Sequence, residues 1–338
     1  MGPGVFLAIA AAVAFGVTTP IVQRASHDAG AFWTAALLYV GAAIASFPSR
    51  RPGREARLLR TDAPRLLAVA VCGAFLAPVA LAWGLKRTSG ATAALMLNLE
   101  AGLTLGLGKL LYSEHLGRRV LVAAGLIAAG GALLVVDRRA LDGDVVGLAA
   151  VAVATLGWAL DNALARPLAD RDPGSVVLAK SVVGALLSLS LAVATTGARP
   201  GLPVALAITA CGAVGFGMSL RLYLMAQRRL GAARTASVFA LAPFVGAVVA
   251  LVMGEPVTPA LVAAAALMGV GIWLHVTEHH EHRHQHEPLR HEHAHSHDDG
   301  HHDHVHDPMP AGQHSHEHTH DTRTHAHAHA EDLHHRHH

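Results

Sequence analysis

Hydrophobic positions in this chain do not alternate and do not form stripes. They run unbroken for about 20 residues at a time, long enough for a helix rising 1.5 Å per residue to cross a hydrocarbon layer of ~30 Å. Ten such runs are predicted, over residues 4–23, 30–48, 63–84, 90–112, 119–136, 145–164, 174–195, 203–226, 233–253 and 258–277. Charged, Pro and Gly clusters separate them, such as PSRRPGREARLLRTDAPR, DRRALDGD and RPLADRDPG. A transmembrane β-barrel would need alternating segments of ~10 residues, which the chain does not have. The first run lacks a basic leader and reads as a membrane helix rather than a removed signal peptide. After residue 277 the pattern stops, and residues 278–338 contain almost no apolar side chains.

The composition agrees. Of 338 residues, 52% are hydrophobic and 15% charged, against about 25% charged in soluble domains. Ala, Gly, Val and Leu dominate, and small residues let membrane helices approach closely. Cys72 and Cys211 lie inside apolar runs, outside any CxxC motif, and read as inert buried thiols. With the N-terminus inside, the loops expected in the cytoplasm collect Arg50, Arg51, Arg54, Arg57, Arg60, Arg65, Arg118, Arg119, Arg166, Arg171, Arg228, Arg229 and Arg234. Arg24, Lys86, Arg87, Arg138, Arg139 and Arg199 fall outside. This bias orients both termini toward the cytoplasm of an inner-membrane protein.

The chain also repeats itself. GATAALMLNLEAGLTLGLGKLLYSE at 90–114 parallels GAARTASVFALAPFVGAVVALVMGE at 231–255, and Gly16 parallels Gly157 at the same offset of 141 residues. Each copy holds five spans. An odd number forces the copies to insert in opposite senses, the inverted arrangement that suits a site alternately open to each side. The expected fold is all-α, ten transmembrane helices as two inverted five-helix repeats plus a disordered His-rich tail. The units are 1–140, 141–277 and 278–338. No Walker A pattern is present, so ATP is not the expected energy source.

These residues carry a resemblance. Over 1–277 the chain resembles the drug/metabolite transporter superfamily, EamA type, through ATAALMLNLEAGLTLGLGKLLYSEHLGRR and ARTASVFALAPFVGAVVALVMGEPVTPALVAAAALMGVGIWL. Within it the chain is similar to a subgroup with L-N-L-E (Leu97 to Glu100), W-A-L-D-N (Trp158 to Asn162), W-L-H-x-T-E (Trp273 to Glu278) and a His-rich tail. The resemblance implies a transporter and not an enzyme. The family's proline in the fourth helix is replaced here by Ala101 and Gly102, whereas Pro243 stands in the second copy. A break in the fourth helix therefore lacks its usual sequence cause.

Charges at mid-membrane cost ~2.5–3.5 kcal/mol on insertion scales and mark functional candidates. Glu100 is the deepest carboxylate, placed to bind a proton whose uptake and release couples to transport, with Lys180 expected as its partner or as an anion-binding group. Asp161 is expected to form a structural pair with Arg221, a gate or substrate contact being the alternative. Asn98 and Asn162 are candidate hydrogen-bonding groups, and Trp158 is the tryptophan best placed to line a pocket. Glu114 and Glu255 read as caps or loop-ordering groups at helix ends. Glu100 and Asp161, on different helices, are expected at different depths.

The tail carries most of the 27 histidines, many as H-x-H: His282, His284, His286, His291, His293, His295, His297, His314, His316, His318, His320, His325, His327 and His329. Residues i and i+2 of an extended chain share a face, so each pair can offer two imidazoles to one ion. Imidazole with carboxylate suits Zn, Ni, Co or Cu. The alternative for the tail is a pH response, because His changes charge near pH 6. No cofactor is required otherwise. Expected partners are the lipid bilayer, a small-molecule substrate, divalent metal at the tail and a second copy in a homodimer, with no nucleic acid. The expected function is secondary-active export of a small metabolite or xenobiotic with proton coupling. A divalent transition-metal exporter fed by the tail, and a membrane-anchored metal sensor or buffer, are the alternatives.

Overall fold

The computed structural model describes residues 3–49, 56–112, 117–136, 145–168, 171–195, 199–230, 235, 238–277, 281–285, 289–295, 314–320 and 324–328. Among the described residues, ten apolar helices form the bundle. They are α1 (Pro3–Ala29), α2 (Ala31–Ser46), α3 (Arg60–Leu85), α4 (Gly90–Tyr112), α5 (Arg118–Val136), α6 (Val145–Leu168), α7 (Pro173–Thr195), α8 (Leu202–Ala226), α9 (Ala242–Val252) and α10 (Pro259–Leu274). Seven are long and apolar enough to span by themselves; α2, α9 and α10 are shorter. Large apolar side chains are exposed on the bundle's outer surface, among them Phe6, Leu110 and Val252. That is the surface expected of a protein solvated by lipid.

The two copies interlock. α1 packs on α8 and α9, and α6, its counterpart, packs on α3 and α4. α2 lies against α7, and α5 against α10. Every one of these pairings maps onto itself or its partner when the copies are exchanged, as an inverted repeat requires. The loops sort accordingly. At one end, Arg171 of the α6–α7 connection pairs with Asp62 at 2.9 Å, and the Asp172 amide donates to the Ala56 carbonyl at 2.8 Å. At the other end the α9–α10 turn reaches α1 and α4.

Small residues make the close crossings possible. A Cβ on Gly212 of α8 would collide with the Leu38 backbone of α2, and one on Gly41 with Thr209 and Ala213 of α8. α1 and α9 touch in the same way through Gly16 and Gly246. Gly30, at φ 75°, turns the chain from α1 into α2, a conformation that costs glycine little.

Three irregularities shape the interior. α3 and α8 each contain a π-helical stretch, Ala70–Leu76 and Gly212–Met218, 142 residues apart. Such stretches recur at functional sites. α4 is interrupted by a turn at Leu97 and Asn98, where the amides of Asn98, Glu100 and Ala101 bond three residues back. The break thus exists in the first copy without proline. In the second copy Leu241 bonds back to Val238 immediately before Pro243.

Glu255 caps a helix, as its position suggests, but the helix belongs to the other copy. Its two carboxylate oxygens accept from the Gly90 and Ala91 amides at 2.7 and 2.8 Å, at the N-terminus of α4. Gly254, at φ 98°, aims the turn, and Arg24 of α1 donates to the Met253 carbonyl beside it. A carboxylate on free N-terminal amides also complements the helix dipole. Glu255→Ala should therefore lower unfolding stability by about 1–2 kcal/mol. Thermal unfolding in nanodiscs would show this as a lower midpoint, with Glu255→Gln intermediate.

In the tail, Glu281–Gln285 pairs antiparallel with Thr324–Ala328, and Leu289–His295 with His314–His320. The register sets His282 opposite His327, His284 opposite His325, His291 opposite His318, His293 opposite His316 and His295 opposite His314. Glu114, His286, His297 and His329 lie outside the described residues.

Candidate functional site

The π-helical stretch of α3 sets up the site. The Gly73 carbonyl accepts two side-chain hydrogen bonds, from Tyr39 Oη at 2.6 Å and Trp158 Nε1 at 3.0 Å. Gly73 has no side chain, and the carboxylate of Asp161 occupies the place where one would stand. The glycine thus brings α2, α3 and α6 together around one backbone group. Lys180 of α7 closes the arrangement, its Nζ 2.5 Å from Asp161 Oδ2. Asp161 and Lys180 are only 6% and 9% exposed, so each charge is held chiefly by the other. The second carboxylate oxygen, Asp161 Oδ1, is buried without a hydrogen-bond partner.

Asn162 is the next residue on α6 and faces a different neighbour. Its Nδ2 donates to Glu100 Oε1 at 2.8 Å. Glu100 is half-buried, one residue past the break-flanking Leu99 of α4. The two carboxylates, Glu100 and Asp161, lie within electrostatic range of one another, and Lys180 acts on Glu100 only at that longer range.

The expected partners are therefore exchanged. Asp161 pairs with Lys180 and not with Arg221, which is exposed on α8. Glu100 takes the neutral Asn162 and not Lys180 as its direct partner. Glu100 and Asp161 belong to one group, not to two depths. The physical reason is that consecutive residues on α6 point about 100° apart, so Asp161 faces α3 and α7 while Asn162 faces α4. Asn98 is buried away from this group, its Nδ2 3.7 Å from Met268 Sδ of α10, a weak contact between helices.

A run of aromatic rings borders the charges. Tyr223 stacks on Phe239 at 5.1 Å between centroids, Phe239 on Phe15 at 5.7 Å, Phe15 on Trp158 at 6.2 Å and Phe216 at 5.5 Å, and Phe216 on Tyr39 at 5.7 Å. These are edge and tilted contacts in the favourable range. Tyr223 and Tyr39 are both within electrostatic range of Glu100. The chain has 15 aromatic residues in all, Phe 8, Trp 4 and Tyr 3. Six of them stand in one cluster drawn from both copies, Tyr39 and Trp158 buried in the core and the other four half-buried. Only Trp158 among them is legible as a pocket residue from sequence. Tyr39 had a signal, because at the repeat offset of 141 it is the counterpart of Lys180. At the same offset Glu100 meets Leu241, so the charge is carried by one copy alone.

Two interlocked, oppositely inserted five-helix copies with ionisable groups held at their junction define a multi-pass membrane transporter rather than an enzyme. The chain belongs to the EamA-like transporter family, which matches it twice, over residues 2–136 and 145–277. An uncharacterized transporter of Methanothermobacter thermautotrophicus is 28% identical over 239 residues, covering 67% of this chain and 68% of the relative. A crystal structure of a protein 18% identical in sequence superposes with a TM-score of 0.61, over 81% of this chain and 98% of that one. At that identity the likeness speaks for the fold.

Proposed function

We propose that the protein is a secondary-active exporter of a small metabolite or xenobiotic in the cell inner membrane, both termini cytoplasmic, with a proton coupled to transport at Glu100. The observation that carries this reading is the setting of Glu100. It is an ionisable group at the junction of the two copies, next to the break in α4, whose direct hydrogen-bond partner is the neutral Asn162. A carboxylate held this way can lose or gain its charge without breaking an ion pair, whereas Asp161 cannot. The break matters because interrupted helices at repeat interfaces are where transporters of this architecture bind their cargo.

The His-rich tail binds divalent transition metal as an appendage to this activity. Its support is the register that sets histidine opposite histidine at alternate positions of both strand pairs. The competing reading, a metal exporter, has nothing in the membrane core to carry it among the described residues, where no three His, Cys, Asp or Glu side chains group.

Purified protein in proteoliposomes with an internal pH dye tests the coupling. The solute that drives the largest proton flux in the wild type should drive none through Glu100→Gln, while solute exchange without a pH gradient persists. Proton flux unchanged in Glu100→Gln would remove the coupling from the proposal. Zn(II) titration of the full chain against a chain lacking residues 279–338 tests the tail, and equal uptake by both would remove it.

A further inference from the structure

We infer that the solute carried by this site is an organic cation, a protonated amine on an aromatic or apolar body, with its N–H donors seated between Asp161 and Glu100. The inference rests on the transport reading above and names the substrate class for that site. Three independent features of the group point to it.

The first is charge. Two carboxylates, Glu100 and Asp161, share one ammonium, that of Lys180, and Lys180 is bound to Asp161 at 2.5 Å. Arg221 is exposed on α8 and is not in the group. The group carries one negative charge in excess when its members are ionised, which a monovalent cation balances and an anion aggravates. A zwitterion would need a second cation for its own carboxylate.

The second is hydrogen-bond polarity. Asp161 Oδ1 is an acceptor without a donor, on a side chain more than nine-tenths buried. Buried acceptors left in this state cost stability, and what satisfies this one must donate. An ammonium supplies up to three donors; a carboxylate or phosphate ligand supplies none.

The third is the ring surface. Phe15, Phe216, Tyr223 and Phe239 are half-buried, not sealed, and lie in an unbroken sequence of contacts that ends at Tyr223 and Tyr39, both within electrostatic range of Glu100. Ring faces attract cations and accept flat apolar bodies. The carboxylates and the rings together read the two ends of one amphipathic amine.

The test uses the full chain in nanodiscs and three probes of matched size: radiolabelled phenethylamine, 2-phenylethanol and phenylacetate. Phenethylamine should bind at least about tenfold more tightly than either of the others, the margin set by one well-placed charged contact. Glu100→Gln should erase that preference. Phe239→Leu should weaken all probes with an aromatic ring and leave the preference intact. Thermal unfolding of both variants confirms folding. If 2-phenylethanol or phenylacetate matches phenethylamine, and its binding still falls in Phe239→Leu, the site stands as a solute site and the cationic class is wrong. If none of the three binds, or if binding survives both variants unchanged, the placement of the transport site falls with it.

Discussion

Lys180→Met should destabilise the protein by about 3–5 kcal/mol, and adding Asp161→Asn should restore most of the loss. The argument lies in what the single change leaves behind. Lys180 and Asp161 are both more than nine-tenths buried, and Asp161 already has one oxygen without a partner. Removing the ammonium strands a carboxylate between α3, α6 and α7 with neither charge nor donor to face. Removing both charges leaves two groups of similar volume in an apolar place, which costs little. The pair is not a surface bridge, so salt should hardly change the result. Unfolding in nanodiscs, followed by far-ultraviolet circular dichroism, would show a large drop for the single variant and a small one for the double. If Lys180→Met alone unfolds like the wild type, the pair does not hold the three helices and Lys180 is better read as a group that meets substrate. The double variant has a second use: it should fold and yet bind solute poorly, which separates the pair's structural role from its functional one.

The fold was legible because its signal is coarse. Ten apolar runs, most charges gathered at their ends and an offset of 141 residues suffice for helix number and inversion, without knowing any contact. The site was legible as a set of residue types: Glu100, Asp161, Asn162, Lys180 and Trp158 all gather where α3, α4, α6 and α7 meet. Their pairing was not. Helical phase tells which way Asp161 points on α6, but not that α7 rather than α8 stands there. That depends on how the helices interlock: Gly73 of α3 leaves room for the Asp161 carboxylate, and Gly184 of α7 packs directly against the Ala74 backbone of α3. The π-helical stretches of α3 and α8 leave no mark in hydropathy, because a wider turn buries the same apolar side chains. The break in α4 was obscured for the opposite reason: it is made by hydrogen bonds three residues apart with no proline to announce it. The aromatic cluster was missed since Phe15, Phe216 and Phe239 are scattered over three separate runs, and a Phe in a membrane helix ordinarily faces lipid or fills space. The repeat offset was the one tool that reached across helices, and it does pick out Tyr39.

Gly212→Leu should prevent the two copies from closing on one another. α2 and α8 approach backbone to backbone, with Gly212 against Leu38 and Gly41 against Thr209 and Ala213. The atoms a new side chain would meet are main-chain atoms, which have no alternative rotamer to adopt. Overpacking against mobile side chains costs about 1–3 kcal/mol; here both helices must move apart, and the loss should exceed that range. The consequence reaches the site, because α8 carries Phe216 and Tyr223 while α2 carries Tyr39, whose ring lies 5.7 Å from Phe216. Separating the helices therefore opens the aromatic surface as well as the bundle. Gly212→Ala should be milder but of the same sign, since its Cβ alone already meets the Leu38 backbone. Gly125 of α5 is the control. A Cβ there meets nothing within 4 Å, so Gly125→Ala should be neutral or stabilise by about 0.4–1 kcal/mol through the unfolded chain. Expression level, monodispersity in detergent and phenethylamine binding would be compared for the three variants. A Gly212→Leu protein that remains monodisperse and binds like the wild type would mean that α2 and α8 are not held in contact, and the junction on which the site depends would have to be sought elsewhere in the bundle.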